Sequence, residues 1–222
     1  MKLCISSFGF TTKEIALSVE KLIGKSLSEV NIAIVYDAAL ASCSNKRWFI
    51  EESANIANFI GGNIYFVSIL KFSAEEIKKS FINADIIYLM GGKKHFLAGL
   101  FRQTNTIDLL KEMTHEKVIM GTSAGSMALC RQITSVKFWQ ERYNVSKDEI
   151  IKKPELDIVD FSIVPHFMRE DHLLWDEKFL KRVLNDNLYP VYALNDNQAI
   201  IYDNGNISFV GGNPLVFGKR DK

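Results

Sequence analysis

One pentapeptide constrains the fold of this 222-residue chain more than any other feature. Residues 121–125 read Gly-Thr-Ser-Ala-Gly, and they separate the apolar run Val118–Met120 from a helix-forming run that begins at Ala124. In a tight Gly-x-Ser-x-Gly turn from strand to helix, small neighbours let the serine backbone adopt a strained conformation. The pattern predicts that the Ser123 hydroxyl projects above the edge of a sheet, within reach of a base.

Apolar runs alternate with amphipathic segments through the first 130 residues. Strands are predicted near 1–8, 32–36, 64–70, 86–90 and 118–120, and helices near 15–23, 48–60, 94–113 and 124–131. Two sequences, Thr11-x-x-Glu14 and Ser73-x-x-Glu76, have the form of capping boxes. This alternation predicts a doubly wound, mostly parallel α/β sheet, whose loops at the carboxyl ends of strands form the ligand site. Gly91-Gly92 and Ser123 should therefore share one rim.

The second half of the chain follows a different pattern. A polar insertion spans 138–155, and an extended apolar segment from Ile158 to Val164 then leads into Pro165-His166. A helix is predicted at 171–185. Strands at 191–194, 199–202 and 207–210 read as antiparallel, with an Asn204-Gly205 hairpin turn that should cap an edge of the sheet.

Composition excludes several classes of protein. Balanced charge, 27 basic against 26 acidic residues, gives no global field that would favour nucleic acid or an anionic membrane. No apolar run approaches the length of a membrane span. Three cysteines without a Cys-x-x-Cys pair favour a reducing compartment, so we expect a cytoplasmic protein.

No linker, repeat or low-complexity tract divides the sequence, so residues 1–222 are expected to form a single domain. No metal is expected because no His-Glu-x-x-His or comparable spacing occurs, and no nucleotide because neither a Gly-x-Gly-x-x-Gly nor a Walker sequence is present. No cofactor is implied.

A serine hydroxyl is a weak nucleophile, so Ser123 needs a base, usually a histidine that a carboxylate orients. Of four histidines, His166 ends a predicted strand and should lie on the rim where Ser123 emerges. The other three are less well placed: His95 early in a helix, His115 in a polar turn and His172 in the first turn of a helix.

Four motifs in this order resemble peptidase family S51, which includes aspartyl dipeptidase (peptidase E) and cyanophycinase. They are Tyr88–Gly92, Gly121–Gly125, Val159–Phe167 and Asn195–Ala199. The resemblance covers most of the chain and implies a flavodoxin-like fold akin to class I glutamine amidotransferases. It also implies a serine-type peptidase that cleaves small peptides, with Ser123 as nucleophile and His166 as general base. The backbone N–H groups of Gly92 and Ala124 would form the oxyanion hole.

The sequence departs from the family pattern at two points. Lys93 follows the Gly-Gly pair, where the family commonly has Asn. The family's third catalytic residue is an acid shortly after the serine, but residues 131–140 contain none, so Glu141 is the first candidate. Three further carboxyls are alternatives: Asp157, Asp160 and Asp196.

Substrate choice is open at this level. A substrate carboxylate needs a cationic partner, and Lys93 and Arg169 are the best-placed candidates. The expected partner is a small peptide, with the chain a monomer or a homodimer. Two other functions fit the same residues: an esterase or amidase on a non-peptide acyl substrate, and a catalytically weak ligand-binding relative. A glutamine amidotransferase is disfavoured because that chemistry uses cysteine where this chain has Ser123.

Overall fold

A computed structural model describes residues 1–144, 155–169 and 176–219. Part of the predicted insertion at 138–155, the first residues of the helix predicted at 171–185, and His172 lie outside the described residues.

The strands form two sheets. Their bounds are β1 Lys2–Ser6, β2 Ile32–Val35, β3 Ile64–Val67, β4 Ile86–Leu89, β5 Val118–Thr122, β6 Ser162–Val164, β7 Val191–Ala193, β8 Ala199–Asp203, β9 Asn206–Val210 and β10 Leu215–Phe217. Seven strands build a large sheet in the order β3-β2-β4-β5-β1-β8-β9, and three build a small sheet in the order β10-β7-β6.

The large sheet is parallel from β3 to β1, and β8 then runs antiparallel to both β1 and β9. Every residue of β2, β4 and β5 is buried, as continuous apolar runs in a sheet covered on both faces should be. The registers pair Ser6 with Thr122 and Leu89 with Gly121, so the carboxyl ends of these strands meet at one rim. The predicted mostly parallel α/β fold with a C-terminal hairpin is confirmed.

One strand pairing differs from the prediction. β8 and β9 form the expected antiparallel hairpin at the edge of the large sheet, but β7 lies in the small sheet, where it is antiparallel to β10 and parallel to β6. The short apolar run of β7 does not by itself show which strand it pairs with or in which direction.

The helices are α1 Lys13–Ile23, α2 Asp37–Ala41, α3 Arg47–Phe59, α4 Ala74–Asn83, α5 Lys94–Gln103, α6 Thr106–Met113, α7 Ala124–Leu129, α8 Val136–Tyr143 and α9 Glu177–Val183. The single helix predicted at 94–113 is two helices because Asn105 adopts a left-handed conformation (φ 55°) that ends the ladder between them.

Capping residues set two helix starts. The capping box of Ser73 and Glu76 is complete at the start of α4, as predicted. At α1 the cap is Thr12, one residue later than predicted, because its side chain accepts a hydrogen bond from the Ile15 N–H.

Apolar side chains pack on both faces of the large sheet and beneath the small one. One face buries Ile15, Val19 and Ile56 from α1 and α3, and the other buries Leu97, Phe101 and Leu129 from α5 and α7. A third cluster joins α8 and α9 to the small sheet. Within the described ranges, none of the helices combines the length and hydropathy that a membrane crossing requires.

Candidate active site

Ser123 occupies the turn between β5 and α7. Its backbone has φ 49° and ψ −115°, a conformation that is rare for a residue with a side chain and that stores strain. The flanking glycines permit the turn, because a Cβ on Gly121 would lie 2.7 Å from the Ser126 Cα and one on Gly125 would lie 2.0 Å from the Leu89 carbonyl oxygen. The predicted strand–turn–helix is therefore present, and only glycine fits at both positions.

His166 faces this serine from the small sheet. It lies two residues after β6, and its Nε2 is 2.8 Å from the Ser123 Oγ. The His166 backbone also has a positive φ of 59°. The predicted rim position of this histidine is the one observed.

Asp196 lies behind the imidazole, on the connection from β7 to β8. Its Oδ1 is 2.6 Å from the His166 Nδ1, and the Arg169 guanidinium lies 3.5 Å from its Oδ2. Burial raises the pKa of the Asp196 carboxyl, but the hydrogen bonds from His166 and Ser7 and the nearby positive charges outweigh burial and hold this pKa below its ordinary value. Asp196 is thus ionised at neutral pH and able to orient the imidazole.

Glu141, the first candidate for this acid, is elsewhere. It lies on α8, where its Oε2 is 2.6 Å from an Arg182 Nη2 at the surface, and that hydrogen bond lowers its pKa. Of the alternatives, Asp157 pairs with Arg131 at 3.0 Å and Asp160 is exposed. Among the four carboxyls considered, Asp196 is the one that the fold places against His166.

Gly92 and Ala124 flank the serine. Gly92 has φ 128°, and a Cβ there would lie 2.1 Å from the Ala38 carbonyl oxygen, so a side chain is excluded. Ala124 is the first residue of α7, and its N–H is therefore outside the helical ladder. Both residues line the same cavity as Ser123.

The cavity above Ser123 has a volume of about 1130 Å³. Lys93 and Arg169 both line it, as predicted from their places after Gly92 and His166. Lys93 caps α5 and is exposed, whereas Arg169 is engaged by Asp196 and lies 5.6 Å from the centre of the Phe8 ring. Further cations in the wall include Arg102 and Arg142.

Two polar residues of the site are not apparent from the sequence pattern. Ser7 follows β1 at the same rim as Ser123 and contacts Asp196. Glu52, on α3, is the single acidic side chain among the described residues that line the cavity. Ser7 follows β1 as Ser123 follows β5, so its place after a strand of the large sheet was a usable signal, whereas an acid within a helix carries none.

Glu52 carries a buried carboxyl. It is 2% exposed, and the Tyr88 hydroxyl donates to its Oε1 at 2.6 Å. Burial raises its pKa from the ordinary 4.5 to about 7, with the Tyr88 hydrogen bond opposing that rise. The folded protein therefore holds this proton more tightly than the unfolded chain does, so the carboxyl lowers stability as pH rises from 4.5 through 7.

Replacing Glu52 with Gln, a mimic of the protonated acid, should stabilise the protein at high pH only. We expect the free energy of unfolding to rise by about 3 kcal/mol at pH 8 and to change little at pH 4. Urea unfolding of wild type and variant at both pH values measures the difference. Glu51→Gln, at an exposed neighbouring position, is the control and should show no pH-dependent difference. A Glu52→Gln effect of equal size at both pH values would contradict the raised pKa.

The fold and site define an α/β protein in which serine, histidine and aspartate form a continuous hydrogen-bonded series at the carboxyl rim of the sheet. The model of peptidase family S51 matches residues 3–210. The chain belongs to peptidase family S51, as its motifs indicated, and the family assignment makes it a peptidase and hence a hydrolase.

Solved structures share this fold. A protein designated a candidate peptidase E from Listeria monocytogenes EGD-e superposes with a TM-score of 0.70 at 19% identity, over 94% of this chain and 96% of that one. A peptidase from an acI-B1 actinobacterium gives 0.63 at 18% identity, over 98% of this chain and 93% of that one. None of the curated protein sequences matches this chain significantly.

Proposed function

We propose that this protein is a serine-type peptidase that cleaves short peptides through an acyl-enzyme on Ser123. The observation that carries the proposal is the series of contacts from Ser123 Oγ to His166 Nε2 at 2.8 Å and from His166 Nδ1 to Asp196 Oδ1 at 2.6 Å. A strained serine, a base in contact with it and an ionised acid behind the base are the parts that acyl transfer needs.

The first half of the reaction forms the acyl-enzyme. Ser123 Oγ attacks the scissile carbonyl carbon while His166 Nε2 takes its proton, and Asp196 stabilises the resulting imidazolium. The N–H groups of Gly92 and Ala124 stabilise the negative charge on the carbonyl oxygen. Collapse of this intermediate breaks the C–N bond, and His166 gives its proton to the departing amine.

The second half releases the acid. Water enters, His166 takes one of its protons, and the hydroxide oxygen attacks the ester carbonyl of the acyl-enzyme. The C–O bond to Ser123 then breaks, and the proton on His166 returns to Ser123 Oγ. The residues named here supply every proton transfer.

The walls of the cavity favour substrates with a carboxylate. Cations outnumber acids among its described lining residues, and Lys93 lies next to Gly92, close to where the substrate carbonyl would sit. We assign Lys93 to the substrate carboxylate in preference to Arg169, because the Arg169 guanidinium is already paired with Asp196. The three cysteines are unpaired, which supports a cytoplasmic location.

Intact-mass spectrometry after incubation with a fluorophosphonate tests the nucleophile. We expect one adduct on the wild type, none on Ser123→Ala, and slow labelling of His166→Ala, because only a serine that is activated by a base reacts rapidly. Ser44→Ala removes a different serine of the same cavity and should label as the wild type does.

Labelling, followed by a cleavage assay with a panel of dipeptides, separates the competing functions. A folded wild type without an adduct would overturn the proposal in favour of a ligand-binding protein. An adduct on Ser123 without cleavage of any member of a panel of acidic and neutral dipeptides would favour an esterase or amidase on a non-peptide substrate.

A further inference from the structure

We infer that Ser7 is a positioning residue that holds both His166 and Asp196 in register with Ser123. One hydroxyl makes both contacts. The Ser7 Oγ donates to Asp196 Oδ1 at 2.9 Å and accepts a hydrogen bond from the backbone N–H of His166 at 2.8 Å. The inference rests on the proposed function, since it assigns Ser7 a part in the same reaction.

Ser7 contacts the same Asp196 oxygen, Oδ1, that contacts the His166 ring. Oδ1 is the atom that bonds His166 Nδ1, and it belongs to a carboxyl group on a connection between two sheets rather than on a strand. The Arg169 guanidinium lies 3.5 Å from the other oxygen, Oδ2, so His166 is the one other group in contact with Oδ1 among the contacts of the described residues, and a second donor on Oδ1 restricts rotation of the carboxylate further. Ser7 supplies that second donor.

The contact with His166 restrains a strained backbone. A positive φ is uncommon for a residue with a side chain and persists only where surrounding contacts enforce it. The N–H of His166 points to Ser7 Oγ in this conformation, so the hydrogen bond favours the main-chain geometry that aims the imidazole at Ser123.

Ser7 itself is rigidly held. It follows β1, which lies between β5 and β8 in the large sheet, and its own N–H donates to the Gln198 carbonyl oxygen at 3.2 Å. The residue is completely buried, so its hydroxyl has no contact with solvent. A site is most precise when its supporting residues are fixed by packing in this way.

Thr11, which lies with Ser7 on the connection from β1 to α1, provides a matched control. Thr11 Oγ1 donates to the main-chain oxygen of Asp196 at 2.8 Å, so it supports the same connection without touching the carboxylate. If support of the connection that carries Asp196 were all that mattered, removing the Thr11 or the Ser7 hydroxyl would lower the reaction rate equally. If the carboxylate geometry matters, Ser7 has the larger effect on the reaction.

Saturation kinetics with a fluorophosphonate give the maximal labelling rate and the apparent affinity separately. We expect Ser7→Ala to lower the maximal rate about 10- to 100-fold with little change in apparent affinity, because small displacements of a catalytic group cost about two orders of magnitude in rate. Thr11→Val should change the maximal rate by less than about threefold. Ser7→Cys keeps the shape of the side chain with a somewhat larger atom that is only a weak S–H donor, so it should fold and remain impaired.

A double-mutant cycle distinguishes positioning from general stability. In an Asp196→Ala background, Ser7→Ala should lower the labelling rate by a clearly smaller factor than in the wild type, because only its contact with the His166 N–H then remains to be lost. The inference would be overturned if Ser7→Ala lowered the rate by the same factor in both backgrounds, if Ser7→Ala reacted at the wild-type rate, or if Ser7→Cys were fully active. An unlabelled wild type would instead overturn the proposed function, so the two failures are distinguishable.

Discussion

Asp196→Asn should lower the rate of fluorophosphonate labelling, and of hydrolysis of any dipeptide that the wild type cleaves, by about 10³- to 10⁴-fold. A neutral amide cannot stabilise the imidazolium that forms when His166 takes the Ser123 proton. The amide NH₂ is itself a donor. In one orientation it faces the donors that now contact Oδ1, and in the other it faces the Arg169 guanidinium at Oδ2. Substrate affinity should change little, because the effect arises in the transition state.

Glu141→Gln is the control for this variant, since it removes the acid that the sequence suggested first. Its ion pair with Arg182 lies at the surface, so we expect labelling within about twofold of the wild-type rate. The assignment would fail if Glu141→Gln were the slow variant and Asp196→Asn reacted normally.

Glu155→Ala should lower the free energy of unfolding by about 3–5 kcal/mol. The Glu155 carboxylate is buried against the Lys94 ammonium, and the Arg102 side chain donates to the Glu155 backbone carbonyl. Burial raises the pKa of Glu155 and lowers that of Lys94, in each case against the effect of the partner's charge. Removing the Glu155 carboxylate leaves the Lys94 ammonium without its counter-charge although the Lys94 side chain is only 11% exposed.

Lys94→Met in combination with Glu155→Leu should recover most of that loss, because apolar residues can fill the volume of a buried ion pair without a desolvation penalty. Met at 94 would also keep a contact with the Trp139 ring, which lies 4.1 Å from the Lys94 Nζ. Urea unfolding measures all three proteins. Equal destabilisation of the single and double variants would show that packing, rather than the unpaired charge, governs the effect.

Features that depend on local chemistry were predictable from the sequence. The buried strands are continuous apolar runs, and Ser123 is revealed by the small neighbours that its strained turn requires. His166 was found because it ends a predicted strand, although that strand, β6, belongs to the small sheet and not to the sheet that carries Ser123. In each case the feature could be predicted from a few residues that are adjacent in the sequence.

The acid and its support depend on contacts between distant segments. Asp196 reaches His166 because the chain leaves the small sheet after β7 and then pairs β8 with β1 in the large sheet. Short apolar runs do not specify this pairing. Glu141 was the first candidate because it follows the serine closely in sequence, but α8 carries it to the surface beside Arg182. The division of the 94–113 helix depended on one residue, Asn105, which has no strong helix-breaking signature.

Ser123 follows a strand of the large sheet, His166 follows a strand of the small sheet, and Asp196 lies on the connection between the two sheets. The contacts among these three residues therefore form only when the two sheets are packed together. During refolding, each sheet could regain its secondary structure before the serine acquires its reactivity. Reactivity toward a fluorophosphonate would then report the final docking event, which circular dichroism does not resolve. If Ser123 reacts as proposed, its labelling therefore measures tertiary assembly directly.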